Sequence, residues 1–158
     1  MSSTLEITSV EQLQNKINNA VKSFNNAHTI YVSLNKTQKS VEQILKNEGI
    51  NTSKIFFIDC VTNERIRDDV IHIQPTELEK LEYAIASSIK EIPGQKFLVI
   101  DALSTLLIYH NENKVAAFVK EVTEFASKKD VQVIAFSPKT KGEELLNKIF
   151  NFFDEVKK

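Results

Sequence analysis

The sequence predicts an α/β fold: a three-layer sandwich in which a mostly parallel sheet lies between two layers of helices. Two observations carry this. Several strand-like runs are apolar on both faces, among them "IFFI" from residue 55, "FLVI" from 97 and "VQVIAF" from 131, and strands buried on both sides belong to parallel sheets covered by helices. These runs alternate with amphipathic segments at helical spacing, the order that βαβ units produce. The chain has 158 residues and no repeat, low-complexity tract or linker, so residues 1–158 read as a single domain with one core.

Each element has its own signal. Residues 5–7 alternate as a short strand, after which Thr8 is expected to cap a helix while Glu11 reaches back to it. Leu13, Ile17, Ala20, Val21 and Phe24 repeat at helical spacing, and Asn25 and Asn26 end the helix. The run "TIYVSL" at 29–34 is β-branched and aromatic, a strand. Val41, Ile44 and Leu45 mark a second helix, with Gly49 as its C-terminal stop and Ile50 folding back onto it. Residues 54–58 form a strand ending at Asp59, and residues 70–73 a shorter one. Thr76 and Glu79 form a second capping box ahead of a helix whose inner face is Leu78, Leu81, Ile85, Ile89 and Ile92. Pro93 and Gly94 turn the chain into the strand that ends at Asp101. A helix beginning at 111–113 carries Val115, Phe118, Val119, Val122 and Phe125 inward. The last strand, 131–136, is closed by Ser137 and Pro138, and a final helix begins near Gly142 and continues to Val156.

Composition excludes several functions. The apolar fraction of 42% and charged fraction of 26% are those of a globular protein. A net charge of −1 provides no field toward nucleic acid or anionic lipid, and the densest basic cluster is only Lys139 with Lys141. The longest apolar runs are of strand length, so no membrane span is expected, nor a secretory leader. Cys60 is the only cysteine, which rules out an intramolecular disulfide and suits a reducing cytoplasm. His28, His72 and His110 lack metal-ligand spacing with Cys60, so no metal is expected. The three glycines, Gly49, Gly94 and Gly142, are far apart. Backbone cradles for phosphate need clustered glycines, so no nucleotide cofactor is expected either.

The order of the pieces resembles the RecA-like ATPase superfamily, and within it the KaiC-like proteins common in archaea. The matching run is "TIYVSL", a helix, Gly49, a strand ending at Asp59, then "FLVIDALSTLL" and the closing "FFDEV" at 152–156. The resemblance spans nearly the whole chain. It implies a RecA-like sheet and places Asp101 at the Walker B position, the magnesium-binding carboxylate of the family.

The departures from that pattern imply that the chemistry is gone. The family's glycine-rich loop with its lysine belongs between the first strand and first helix. Here Thr8 and Ser9 alone make the connection, and Lys22-Ser23 falls inside the helix. Asn35 and Lys36 stand where the resemblance places paired catalytic glutamates. Asparagine takes no proton at neutral pH, and lysine has the wrong charge for a base. No catalytic residue and no ATPase activity are therefore expected, and Asp101, Asn35 and Lys36 are read as vestiges.

Right-handed crossovers bring the strand ends to one edge, where ligands of such sheets bind. Asp59, Asp101, Ser104 and Ser137 are the polar candidates for a ligand site there. Asp59 is expected in an exposed turn, and Cys60 is expected to be buried rather than nucleophilic. A second reading is a receiver-like phosphoryl-signalling or small-ligand-binding domain that uses this edge. The segment "VIAFSPKTKGEELLNKI" is similar to the end of such domains, with Asp101 as phosphoacceptor, but the acidic pair of the first strand is missing. The first reading is a regulatory or protein-interaction module whose partner is another protein or a second copy. Phe150 and Phe152 lie at opposite margins of the final apolar arc, wider than a core-packing stripe, so either neighbouring loops cover both rings or one of them reaches the surface as a contact for a second copy or another protein.

Overall fold

A computed structural model describes residues 3–24, 27–62, 69–139 and 142–158. The expected helix stop at Asn25 and Asn26, and Lys141 of the basic pair, lie outside the described residues. Among the described residues seven strands form one sheet: β1 (Ser3–Thr8), β2 (His28–Ser33), β3 (Ile55–Asp59), β4 (Ile71–His72), β5 (Lys96–Asp101), β6 (Gln132–Pro138) and β7 (Glu155–Lys157). Their order is β4-β3-β2-β5-β6-β1-β7, and every pairing is parallel.

The described helices that cover the sheet are α1 (Val10–Ser23), α2 (Gln38–Asn47), α3 (Leu78–Glu91), α4 (Glu112–Lys128) and α5 (Glu143–Ile149). One face packs α1 and α2 through Leu13, Ile17, Val41 and Leu45 against Tyr31, Phe57, Val99 and Phe136. The other packs α3, α4 and α5 through Leu81, Ile85, Val119 and Ile149 against Ile30, Val32, Ile100 and Ala135. The period-2 alternation of strand side chains assigns consecutive residues to opposite layers, and both sets are apolar because both layers exist. No helix among the described residues is long and apolar enough to cross a membrane.

Gly49 ends α2 as the sequence indicates. Its φ of 76° is left-handed, the Ile50 N–H reaches back to the Leu45 carbonyl and the Gly49 N–H to that of Lys46, which together make a Schellman motif. Other boundaries differ. Thr8 is the last residue of β1, paired with Pro138, and Ser9 is the cap of α1, accepting from Gln12 N at 3.3 Å. Thr76 does not cap α3. The Glu77 N–H closes a turn onto the Gln74 carbonyl, and the helix starts at Leu78 without a side-chain cap.

The largest difference is at the C-terminal end. The final helix stops at Ile149, a 3-10 turn spans Phe150–Phe152, and Glu155–Lys157 pairs with β1 as an edge strand. Asp154 fixes this change of structure. Its Oδ2 accepts from Ser3 N at 3.0 Å, and its own N–H donates to Ser3 Oγ at 3.0 Å. Phe150 and Phe152 therefore do not sit on the margins of a helix; both are half-buried beside the α3–α5 core.

Candidate functional site

The strand order places a topological switch between β2 and β5, which are neighbours. From β2 the chain leaves through α2 toward β3; from β5 it leaves through α4 toward β6, on the opposite face. In an open α/β sheet the crevice between such diverging connections is where ligands bind. Here it lies between Ser33 and Asp101, which are in register.

A closed hydrogen-bond network occupies the crevice. The Asp101 carboxylate is fully buried. The Tyr31 hydroxyl donates to its Oδ2 at 2.7 Å, and Asn35 Nδ2 lies 3.4 Å from its Oδ1. The Asn35 Oδ1 accepts from the Thr105 hydroxyl, in the 3-10 turn Leu103–Ile108 that follows β5. The Ser33 hydroxyl donates to the Lys36 carbonyl, shaping the turn after β2, and the Leu34 N–H donates to the Asp101 carbonyl at 2.7 Å. The Asp101–Ala102 peptide is cis. These bonds tie together the two connections that would otherwise part around a ligand.

Burial pushes the Asp101 carboxyl above its ordinary range, an effect only partly offset by Tyr31, by the charge of Lys36 and by Asn35. Burial, and then the charge of Asp101, push the Tyr31 phenol well above its own range. A raised carboxyl in the folded state means that the native protein holds the proton more tightly than the unfolded chain. Stability contributed by this group is therefore full at low pH and is lost as pH rises from the ordinary value of 3.8 through the folded one. Asp101→Asn keeps the shape and removes the buried charge. It is expected to fold and to gain on the wild type as pH rises from about 4 to about 7, read by denaturant unfolding at each pH. Tyr31→Phe, which strips the nearer donor, is expected to cost about 2 kcal/mol at neutral pH. A difference between wild type and Asp101→Asn that does not change with pH would contradict the raised carboxyl.

Asp59 is placed differently from the expectation. It is 1% exposed rather than lying in an open turn. Its Oδ2 accepts from Gln38 N at 2.9 Å and the Thr62 hydroxyl at 2.7 Å, and its Oδ1 from Val61 N at 2.8 Å and Thr62 N at 3.0 Å. Burial alone would raise this carboxyl, but the donors from Gln38, Thr62 and Val61 outweigh it and hold it below the ordinary range. His72 Nδ1 is 3.9 Å from Asp59 Oδ2, and neither ring nitrogen of His72 has a hydrogen-bond partner among the described residues. Cys60 is buried, and burial followed by the charge of Asp59 pushes its thiol up to about 12, away from nucleophilic use.

The four strand-edge candidates do not converge. Asp59 and Asp101 share the α1–α2 face but end strands on either side of β2, about 10 Å apart at the backbone, each with its own donors. Ser137 follows Phe136 on β6 and so faces the other layer, fully buried with no hydrogen-bond partner for its hydroxyl among the described residues. Ser104 lies in the 3-10 turn, 3.8 Å from where a side chain on Gly142 would begin. The structure instead gathers Asp101 with Tyr31, Asn35, Lys36 and Thr105. Tyr31 and Thr105 went unnoticed in the sequence, although a buried tyrosine in an otherwise aliphatic strand needs a partner for its hydroxyl. His110 faces a groove of about 440 Å³ with Glu82, Lys114 and Glu121, but its Nε2 is engaged by the Pro75 carbonyl at 2.9 Å.

No protein-family model and no curated protein matches this sequence. Solved structures do match. A KaiC-like protein of the hyperthermophilic archaeon Pyrococcus horikoshii superposes over 98% of this chain and 69% of its own, with a TM-score of 0.70 and 12% identity. A second P. horikoshii protein, crystallised in complex with an unknown peptide, gives 0.73 and 13% over 98% of this chain and 76% of its own. A third from the same organism gives 0.63 and 11% over 98% and 79%. The chain thus has the three-layer, RecA-like α/β fold, in a form similar to that of a KaiC-like protein.

Proposed function

We propose that this domain keeps a RecA-like framework without ATPase chemistry and acts by binding protein. The observation that carries the reading is the connection from β1 to α1. Only Ser9 separates Thr8 from Val10, and its hydroxyl is committed to capping the helix. One residue cannot wrap a phosphate, and no glycine precedes Gly49 to permit close backbone approach. The residues around Asp101 do not fit a magnesium–phosphate site either. Magnesium sites of this kind lean on substrate phosphates and water, whereas this carboxylate is sealed from solvent and already bonded to Tyr31 and Asn35.

The same burial weighs against the receiver reading, because a phosphoacceptor must meet its donor in solvent. The strand order weighs against it too: β1 lies between β6 and β7, whereas the flavodoxin-like order of receivers sets the first strand between the second and the third. One neighbour in fold was crystallised with an unknown peptide, and a polypeptide is the class of ligand proposed for this chain. The buried, unreactive thiol of Cys60 fits a reducing cytoplasmic setting.

The test is thermal unfolding with magnesium and ATP, beside a hydrolysis assay. No shift and no phosphate release are expected. A ligand at about a hundredfold its Kd would stabilise the fold by about 2.7 kcal/mol, which is easily seen. A magnesium-dependent shift that Asp101→Asn abolishes would overturn the reading.

A further inference from the structure

The geometry points to a twofold dimer of this chain, formed by antiparallel pairing of β7 with β7 of a second copy. It gives the interaction role a partner, and so rests on that reading.

Among the described residues β7 has a strand on one side only, β1. The edge is held in place by the Ser3–Asp154 bonds and by Val156, which lies opposite Leu5 and packs into the α3–α5 core. An ordered open edge presents free backbone groups to any strand that approaches.

What identifies the partner is the sequence of that edge, Glu155-Val156-Lys157. Antiparallel pairing centred on Val156 sets Glu155 opposite Lys157 of the second copy and Lys157 opposite its Glu155. Both charged residues are exposed and share the face away from Val156. Opposite charges directly across a ladder stabilise it, and like charges destabilise it. Charges on edge strands also serve to repel other strands, but a guard against the same chain needs like charges, and this edge carries one of each in self-complementary order. On the other face the dyad would bring the half-buried Val156 beside its copy, adding apolar area to the backbone pairing. A twofold operation closes the assembly at two chains.

Sedimentation of the full chain, from micromolar to millimolar, tests this. The wild type is expected to dimerise. Glu155→Lys and Lys157→Glu each set like charges across both pairs, and each is expected to weaken the dimer about tenfold or more. An equimolar mixture of the two variants restores opposite pairs and is expected to restore the dimer, as is the double reversal in one chain. Melting curves at concentrations where every form is monomeric should be nearly unchanged, since both positions are exposed and lose only the 3.9 Å Glu155–Lys157 pair within the strand. A wild type that stays monomeric throughout overturns the proposal. So does a dimer indifferent to both single variants, or one that the mixture fails to restore. Nucleotide binding is read separately by the melting shift, so loss of the dimer and loss of the non-catalytic reading are distinct results.

Discussion

Val99→Asp is expected to yield no folded protein. Val99 is fully buried in β5, between Tyr31 of β2 and Ile134 of β6, beneath α1 and α2. No residue in that cluster offers the new carboxylate a donor near mid-strand, because the hydroxyl of Tyr31 is already committed to Asp101. The substitution forfeits about 1.5–3 kcal/mol of apolar burial. It also buries a carboxyl that must either stay charged or take up a proton, at a further cost of several kcal/mol. A domain of this size has about 5–15 kcal/mol in total. Val10→Asp is the control. Val10 is 57% exposed in the first turn of α1, where an acid also meets the positive end of the helix, so a change under about 0.5 kcal/mol is expected. Soluble yield and cooperative denaturation distinguish the two. A cooperatively melting Val99→Asp protein would mean that β5 does not lie at the centre of the sheet.

The centre of this fold was legible because its strands are apolar on both faces. β2, β3, β5 and β6 each announce themselves by β-branched and aromatic runs too short for helices, and the stop at Gly49 follows from backbone sterics alone. The C-terminal segment was not legible for a specific reason. Leu146, Ile149, Phe150, Phe153 and Val156 fit a helical arc, yet the arc was too wide, and the excess width was itself the sign that two structures had been read as one. What ends the helix is Asp154 meeting Ser3 across nearly the whole length of the chain, and no local pattern contains that contact. The site shows the same division. Asp101 was found by its place after an apolar strand. That Tyr31 and Asn35 close over it depends on the register of β2 with β5, which periodicity does not report.

Asp59→Ala is expected to cost about 3–5 kcal/mol, the range for stripping a buried, multiply bonded charge. Four donors converge on this carboxylate, and one of them, the Gln38 N–H, belongs to the first turn of α2. Helix N-termini favour a negative group, so Asp59 caps α2 from the end of a neighbouring strand and holds the loop after β3 against it. Removal leaves those donors facing a hole; Asp59→Asn keeps one acceptor oxygen and turns an amide toward the others, so about half the loss is expected. The dependence on pH distinguishes this charge effect from simple loss of packing. The folded carboxyl lies below its ordinary value of 3.8, so its contribution is full above that value and disappears as pH falls through the folded one. The gap between wild type and Asp59→Asn should therefore be widest near neutrality and shrink in acid, opposite in sign to the gap for Asp101→Asn. The two carboxylates end strands on the same face of one sheet. Asp59 has four donors that outweigh its burial, while Asp101 is desolvated more strongly and has two donors and a nearby lysine that together fall short, so the two shifts are opposite in sign. Denaturant unfolding of both asparagine variants at about pH 7 and about pH 3 reads it directly. An Asp59→Ala protein within about 1 kcal/mol of wild type at neutral pH would show that the donors find other partners and that α2 does not depend on this clamp.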